Sequence, residues 1–284
     1  MRLVYLNGEF VPESEAKISV FDRGFLYGDG IFETIRAYNG RLFRLGRHME
    51  RLRRSAELIA LSLTHGPRYF AAIAEETLEV NRLINATVRL SVSRGRGAPG
   101  LSPAKCGRPT VVCSAREVQE GLKAKQEAGV GAVLVNTRRT PRECLDSRAK
   151  TFNFLNNIMA RIEADTAGAF EGIMLNGAGQ VTEGTVSNVF FCRAGALCTP
   201  SVETGILPGI ARETVLEIAS NMGVEKVEGY FTAEDLSCAG EIFLTNSNWE
   251  VMPVVLLDGR AVGAGAPGAI TARLARGYRS LVDE

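Results

Sequence analysis

Ala149-Lys150-Thr151-Phe152-Asn153-Phe154-Leu155-Asn156-Asn157 places a lysine where a mostly apolar helix is predicted to begin, over residues 153–164. The chain has six lysines, and the other five look ordinary: Lys17 and Lys226 sit among charges, while Lys105, Lys123 and Lys125 lie in loop or linker. An amine beside a helix N-terminus and flanked by apolar groups loses hydration and feels a positive dipole end. Both effects favour the neutral, nucleophilic form that a Schiff-base lysine needs. On these nine residues alone a plainer reading stands at least as well: a surface lysine with its stem on apolar neighbours and its charge in water.

Towards the N-terminus, residues 3–6 and 9–11 read as strands joined by Asn7-Gly8, which supplies the positive φ angles of a tight hairpin turn. A strand over 31–38 precedes a second such turn, Asn39-Gly40. Leu45, Met49, Leu52, Ala56 and Ile59 recur at helical spacing within 44–61, Pro67 marks a break, and another helix fits 69–81. Strands follow at 87–93 and 110–115. Towards the C-terminus, strands are predicted over 131–136, 173–175, 189–192, 241–245 and 254–257. A helix over 211–222 follows the loop Gly205-Ile206-Leu207-Pro208-Gly209. Hairpins mixed with helices predict two α/β domains in place of one doubly wound sheet. The expected division is an N-terminal domain 1–118, a polar linker 119–130 and a C-terminal domain 131–284.

Bulk properties narrow the class. A formal net charge of +1 gives no field to draw in nucleic acid or acidic lipid. No apolar run approaches the roughly 20 residues that span a bilayer, and the first residues are too short and polar for a signal peptide. Cys106, Cys113, Cys144, Cys192, Cys198 and Cys238 show no C-x-x-C spacing. Six scattered thiols suit a reducing, cytoplasmic setting and indicate neither a disulfide framework nor a metal site.

The opening run is followed by Glu171-Gly172-Ile173-Met174-Leu175-Asn176 and by Val181-Thr182-Glu183-Gly184-Thr185-Val186-Ser187-Asn188-Val189-Phe190. Further runs are Phe21-Asp22-Arg23-Gly24, Tyr27-Gly28-Asp29-Gly30-Ile31-Phe32-Glu33, Leu45-x-x-His48-x-x-Arg51-Leu52, Ile206-Leu207-Pro208-Gly209-Ile210 and Val251-Met252-Pro253-Val254. Together, in this order and along essentially the whole chain, they resemble the class IV aminotransferases. That family includes branched-chain aminotransferases, D-amino-acid transaminases and aminodeoxychorismate lyases. The resemblance implies a fold-type IV, mixed α/β enzyme whose two domains hold pyridoxal 5′-phosphate between them. It also implies a homodimer in which the partner's N-terminal loop closes the site.

Carried over, the resemblance makes Lys150 the Schiff-base lysine and the acid/base for the α-proton, and sets Glu183 on the pyridine nitrogen. Arg51 would bind the phosphate, as would the backbone N–H groups of Ile210 and Ala211 at a helix start. Leu207 would pack on the ring. Ala211 stands where many relatives have Thr, so one hydroxyl contact is missing, and Ser247 would supply another. Each has a plainer counterpart: an exposed turn glutamate for Glu183, and one more charge on a solvated helix face for Arg51. His48 and His65, the only histidines, are read as structural.

For the substrate, Phe32 resembles the branched-chain enzymes, and Arg94-Gly95-Arg96 lacks the histidine of the D-specific Arg-x-His. Arg89 matches the arginine that branched-chain enzymes use for the second carboxylate of glutamate, and Tyr27 and Phe32 would wall the side-chain pocket. Thr34 replaces a glycine of those enzymes and Thr87 a tyrosine. Asn246-Ser247-Asn248-Trp249 replaces the Gly-Thr-Ala-Ala turn whose N–H groups meet the substrate carboxylate. Trp249, the single tryptophan, would narrow the pocket there or simply pack. The resulting expectation is transamination between an aliphatic or branched-chain L-amino acid and 2-oxoglutarate. Thr34, Asn246 and Met252-Pro253-Val254 favour the alternative, pyruvate elimination from aminodeoxychorismate. A D-amino-acid transaminase ranks third.

Overall fold

Burial alternates along residues 33–38, in a strand buried throughout its first four residues, and this strand lies in the first of two units. In the computed structural model, which describes residues 1–283, residues 1–118 and 149–153 form one unit. Residues 119–148 and 154 onward form the other.

The first unit runs β1 (Leu3–Leu6), β2 (Glu9–Pro12), a short helix α1 (Arg23–Tyr27), β3 (Gly30–Tyr38) and β4 (Arg41–Leu42). Helices α2 (Leu45–Leu58) and α3 (Pro67–Val80), then β5 (Ala86–Ser93) and β6 (Thr110–Glu117), complete it. The six strands lie in the order β2-β1-β6-β5-β3-β4, all antiparallel. Asn7-Gly8 and Asn39-Gly40 turn their hairpins with positive φ at all four residues. Because side chains alternate across a strand, Ile31, Ile35, Ala37, Val88, Leu90, Val92, Val111 and Cys113 face one way. They form a core with Met49 and Leu52 of α2 and Phe70, Ile73 and Leu78 of α3. Burying each such side chain contributes about 1.5–3 kcal/mol. The other face carries Phe32, Thr34 and Arg36 of β3, each set beside a polar neighbour on β5: Ser91, Arg89 and Thr87.

Residues 149–153 join this sheet. Phe32 donates its backbone N–H to the Lys150 carbonyl at 3.0 Å, and Phe152 donates to the Gly30 carbonyl at 2.9 Å. The segment is therefore an extended strip along β3, close enough that a Cβ on Gly30 would lie 2.3 Å from the Phe152 ring. This corrects the expected setting of Lys150. The helix begins only at Leu155, beyond the single turn over which its dipole acts, and strand-like pairing places the lysine instead.

The second unit opens with α4 (Leu122–Ala128), which occupies most of the segment expected as linker, and β7 (Val130–Leu134). Then come α5 (Leu155–Thr166), β8 (Glu171–Leu175), β9 (Val181–Gly184), β10 (Asn188–Arg193), β11 (Ala196–Pro200), α6 (Ile210–Asn221) and β12 (Lys226–Gly229). The chain ends through α7 (Ala233–Ser237), β13 (Glu241–Asn246), β14 (Glu250–Leu257), β15 (Arg260–Ala261) and α8 (Ala269–Asp283). Its strands run β12-β11-β10-β13-β14-β7-β8-β9, with β15 on β14, and β9 also pairs with β10. That last pairing, Asn188 with Glu183, closes six strands into a ring. Phe190 and Phe243, paired on the adjacent strands β10 and β13, stack with centroids 5.0 Å apart.

Candidate active site

The residues singled out from the sequence fall into two sets, one in each unit. In the first unit Lys150 is half-buried, with its backbone N–H donating to the Ser55 hydroxyl at 3.0 Å. Its Nζ lies 4.6 Å from the centre of the Phe32 ring. The Arg89 guanidinium lies 3.8 Å from the same ring centre, so an amine, an aromatic wall and a cation converge on one point of the sheet. Arg89 keeps solvent access, yet the surrounding protein still pulls its pKa below the usual arginine value. Thr34 pairs with Arg89 across the strands. Tyr27 stands apart on α1, exposed, with the Arg23 guanidinium 5.0 Å from its ring.

Arg51 lies on the buried side of α2, not on a solvated face. Its Nε and one terminal nitrogen donate to Glu33 Oε1 and Oε2 at 2.8 and 2.6 Å. That fork-to-fork pairing fixes the plane and direction of the guanidinium. His48 Nδ1 sits 2.7 Å from Glu33 Oε2, and all three groups are buried. Burial alone would raise the Glu33 pKa, but the Arg51 charge and the hydrogen bonds overcome it and hold Glu33 down at about 2. Burial also lowers His48, with Arg51 and Lys150 adding to the effect, against the pull of Glu33. His65, by contrast, is exposed and stacks on Tyr69 with centroids 3.9 Å apart.

In the second unit Glu183 is buried at the seam of the ring. Its Oε2 accepts from the Leu207 N–H at 2.9 Å and from Asn188 Nδ2 at 3.3 Å. Arg139 Nε lies 2.8 Å from Oε1, with its N–H not aimed along that line. Asn188 also donates to the Leu207 carbonyl at 2.9 Å, so one amide ties the glutamate to the loop before α6. Ile210 and Ala211 open α6, whose N-cap is Gly209 with no side-chain cap. A Cβ at Gly209 would fall 2.0 Å from Asn188 Oδ1. Backbone N–H groups at such a start favour an anion.

The turn after β13 differs from its expected use. Asn246 Oδ1 accepts from the N–H groups of Asn248 and Trp249 at 2.9 and 2.8 Å. Those are the donors that the resemblance assigned to the substrate carboxylate. Ser247 lies in the same turn. Trp249 packs on Phe170, ring centres 4.7 Å apart, the plainer of its two readings. Among the described residues no group of three or more His, Cys, Asp or Glu side chains could hold a metal ion.

Sequence reasoning missed Glu33, Arg139 and Asn188 as partners. Glu33 and Asn188 stand inside quoted runs but were given no role, and nothing in spacing ties Arg139 to Glu183.

The family model for amino-transferase class IV matches residues 30–257. The chain belongs to the class IV aminotransferases. The family's cofactor is pyridoxal 5′-phosphate. Among the aminotransferase's relatives, a Methanocaldococcus jannaschii protein provisionally named a branched-chain-amino-acid aminotransferase is 42% identical over 278 residues, 98% of this chain and 96% of that one. Aminodeoxychorismate lyase of Bacillus subtilis is 36% identical, covering 90% of this chain and 87% of its own. D-alanine aminotransferase of Bacillus licheniformis is also 36% identical, with 94% and 93% covered. Among solved structures, the branched-chain aminotransferase of Thermoproteus uzoniensis with norvaline superposes at a TM-score of 0.93, with 36% identity over 99% of this chain and 94% of that one. The branched-chain enzyme of Thermobaculum terrenum, in its pyridoxal-phosphate holo-form, gives 0.90 with 27% identity and the same coverage.

Proposed function

We propose that this aminotransferase moves the amino group of a branched-chain or other aliphatic L-amino acid to 2-oxoglutarate, with pyridoxal 5′-phosphate as its cofactor. The observation that carries the reading is the convergence of Lys150, Phe32 and Arg89. It offers a reactive amine, an apolar wall for an aliphatic side chain, and a cation for the second carboxylate of the acceptor.

The residues fit the cofactor. The α6 start at Ile210 and Ala211, with no side-chain cap, would hold the phosphate, with Ser247 adding a hydroxyl, and in the first unit Arg51, oriented by Glu33, is a cation suited to the same kind of anion. Leu207 would lie on the ring, its N–H already bound to Glu183. Bound, the cofactor supplies a carbonyl for the amino group and a ring that takes up the electron pair of the broken Cα–H bond. Glu183, its direction set by Leu207, Asn188 and Arg139, would hold a proton at the ring nitrogen. Lys150 Nζ would take the proton from the substrate Cα and hold it for return. Thr34, beside Arg89 on the sheet, would face the substrate, whereas the Asn248 and Trp249 N–H groups would have to leave Asn246 to meet a carboxylate. Purified protein given L-leucine and 2-oxoglutarate should form glutamate. Lys150→Ala should cut the rate at least about a thousandfold, and near-normal turnover would sink the scheme.

A homodimer accords with exposed apolar stretches on each unit: Ile18, Val20, Phe21, Phe25 and Leu26 on the first, and the α5 stripe Leu155, Ile158, Met159 and Ile162 on the second. A cytoplasmic location accords with six free cysteines and with no helix of the described residues long and apolar enough to cross a membrane. The second reading, pyruvate elimination from aminodeoxychorismate, draws on Asn246 occupying its own turn and on the lyase relative. It would show as pyruvate and 4-aminobenzoate formed without an amino acceptor.

A further inference from the structure

Glu171 of β8 is wholly buried, and no cation among the described residues pairs with it. Its partners are donors. Oε1 accepts from the Thr185 N–H and hydroxyl at 3.1 and 2.6 Å, and from the Gly172 N–H at 2.9 Å. Oε2 accepts from the Ser187 hydroxyl at 2.9 Å, with the Val186 N–H further off at 3.4 Å. A buried carboxylate without a counter-cation is costly, and charge-assisted hydrogen bonds of this kind offset that cost. All but the Gly172 contact come from the turn over residues 184–187. Gly184 leaves the room, since a Cβ there would fall 2.2 Å from the Ser187 hydroxyl and 2.9 Å from Glu171 Oε2.

That turn joins Glu183 to Asn188, which stand paired in register. On its other side Glu183 has no regular ladder to hold it. Ile173 pairs with Gly184 and Leu175 with Val181, so Thr182 and Glu183 together stand opposite Met174. A bulge of this kind interrupts the ladder and re-aims a side chain, and the direction of Glu183 then depends on the turn that follows it. Closing the turn needs no buried charge, because the Gly184 N–H already donates to the Ser187 carbonyl at 2.7 Å. Two amides add to the grip: Asn157 of α5 donates to the Thr185 carbonyl at 2.8 Å, and Asn246 to the Val186 carbonyl at 3.2 Å. Among these holders Glu171 alone is charged.

We propose that Glu171 is the positioning residue for Glu183: it fixes the turn over residues 184–187 and so keeps the Glu183 carboxylate aimed at the ring nitrogen of a bound cofactor. This rests on the role proposed for Glu183 and deepens it, and it does not depend on which amino acid is the substrate.

The test strips the purified protein of cofactor and compares two replacements by equilibrium dialysis. One is pyridoxal 5′-phosphate; the other is its carbocyclic analogue, with C–H in place of the ring nitrogen. The analogue keeps the phosphate and the aldehyde but gives Glu183 nothing to hold. Wild type should bind pyridoxal 5′-phosphate about tenfold or more tightly than the analogue, as a charge-assisted hydrogen bond implies. Glu171→Gln keeps the shape and removes the charge. It should weaken pyridoxal 5′-phosphate about tenfold and the analogue less than about threefold. Ser187→Ala, which takes one donor from Glu171, should show the same bias at about threefold, and it carries the test if Glu171→Gln does not fold. Equal weakening of both cofactors, or of neither, would overturn the positioning role and leave Glu183 in its own. A wild type that binds the two cofactors alike would instead remove Glu183 from the ring nitrogen, and the role of Glu171 with it.

Discussion

Two helix starts in the second unit are finished in opposite ways. At α8, Glu241 of β13 reaches the first turn and accepts from the N–H groups of Ile270 and Thr271 at 3.1 and 2.8 Å, and from the Thr271 hydroxyl at 2.7 Å. Gly268 leaves room for it, since a Cβ there would fall 1.9 Å from the Glu241 carboxyl carbon. At α6 no side chain caps the start, and the nearby Glu183 spends its Oε2 on Leu207 and Asn188 instead. One helix brings its own anion. The other start has no side-chain anion, and it is where the proposed function puts the cofactor phosphate.

The first way to sharpen that contrast is a third carboxylate, Glu33, which faces a full cation and not a helix end. Glu33→Gln would strand the buried Arg51 charge and should destabilise the first unit by about 3–5 kcal/mol. Trp249 lies in the second unit, so circular dichroism should begin to fall before tryptophan fluorescence does; coincident loss would show that the units unfold together. The same pair predicts an acid response. Glu33 is held at about 2 against an ordinary 4.5, so the unfolded chain takes up its proton first. Its contribution is complete above about pH 4.5 and lost as pH falls towards 2, and the variant should lack that slope.

Next comes the open start itself. Gly209→Asp would give α6 an internal anion of the α8 kind, displacing the Asn188 amide and opposing the phosphate. Cofactor affinity, read by equilibrium dialysis, should drop about thirtyfold, a loss near 2 kcal/mol. Retained affinity would break the contrast. The smallest effect belongs to the closed start: Glu241→Ala should cost about 1 kcal/mol of stability in a denaturant titration, with cofactor affinity unchanged.

Much of the fold was legible because its signals are local. Asn7-Gly8 and Asn39-Gly40 announce their hairpins, and the helical spacing of α2 announces its buried face. Helix α8 was equally legible, with Ile270, Leu274, Tyr278 and Val282 four residues apart, yet it was passed over. The excursion of residues 149–153 to the edge of β3 was not legible, since pairing with a strand more than a hundred residues earlier leaves no periodic trace. The same holds for the site. Lys150 and Glu183 stand out by their runs, whereas the grip of Arg51 on Glu33 and of Asn246 on its own turn is a property of side-chain geometry.

The ring closed by Asn188 and Glu183 also bears on the order in which the chain assembles. Its β7–β14 seam joins Val130 to Val254, so closing the ring must wait for a contact spanning most of the second unit, and long loops close slowly. The hairpins of the first unit need no such wait. A ligand that binds only the closed ring would stabilise that closure by mass action.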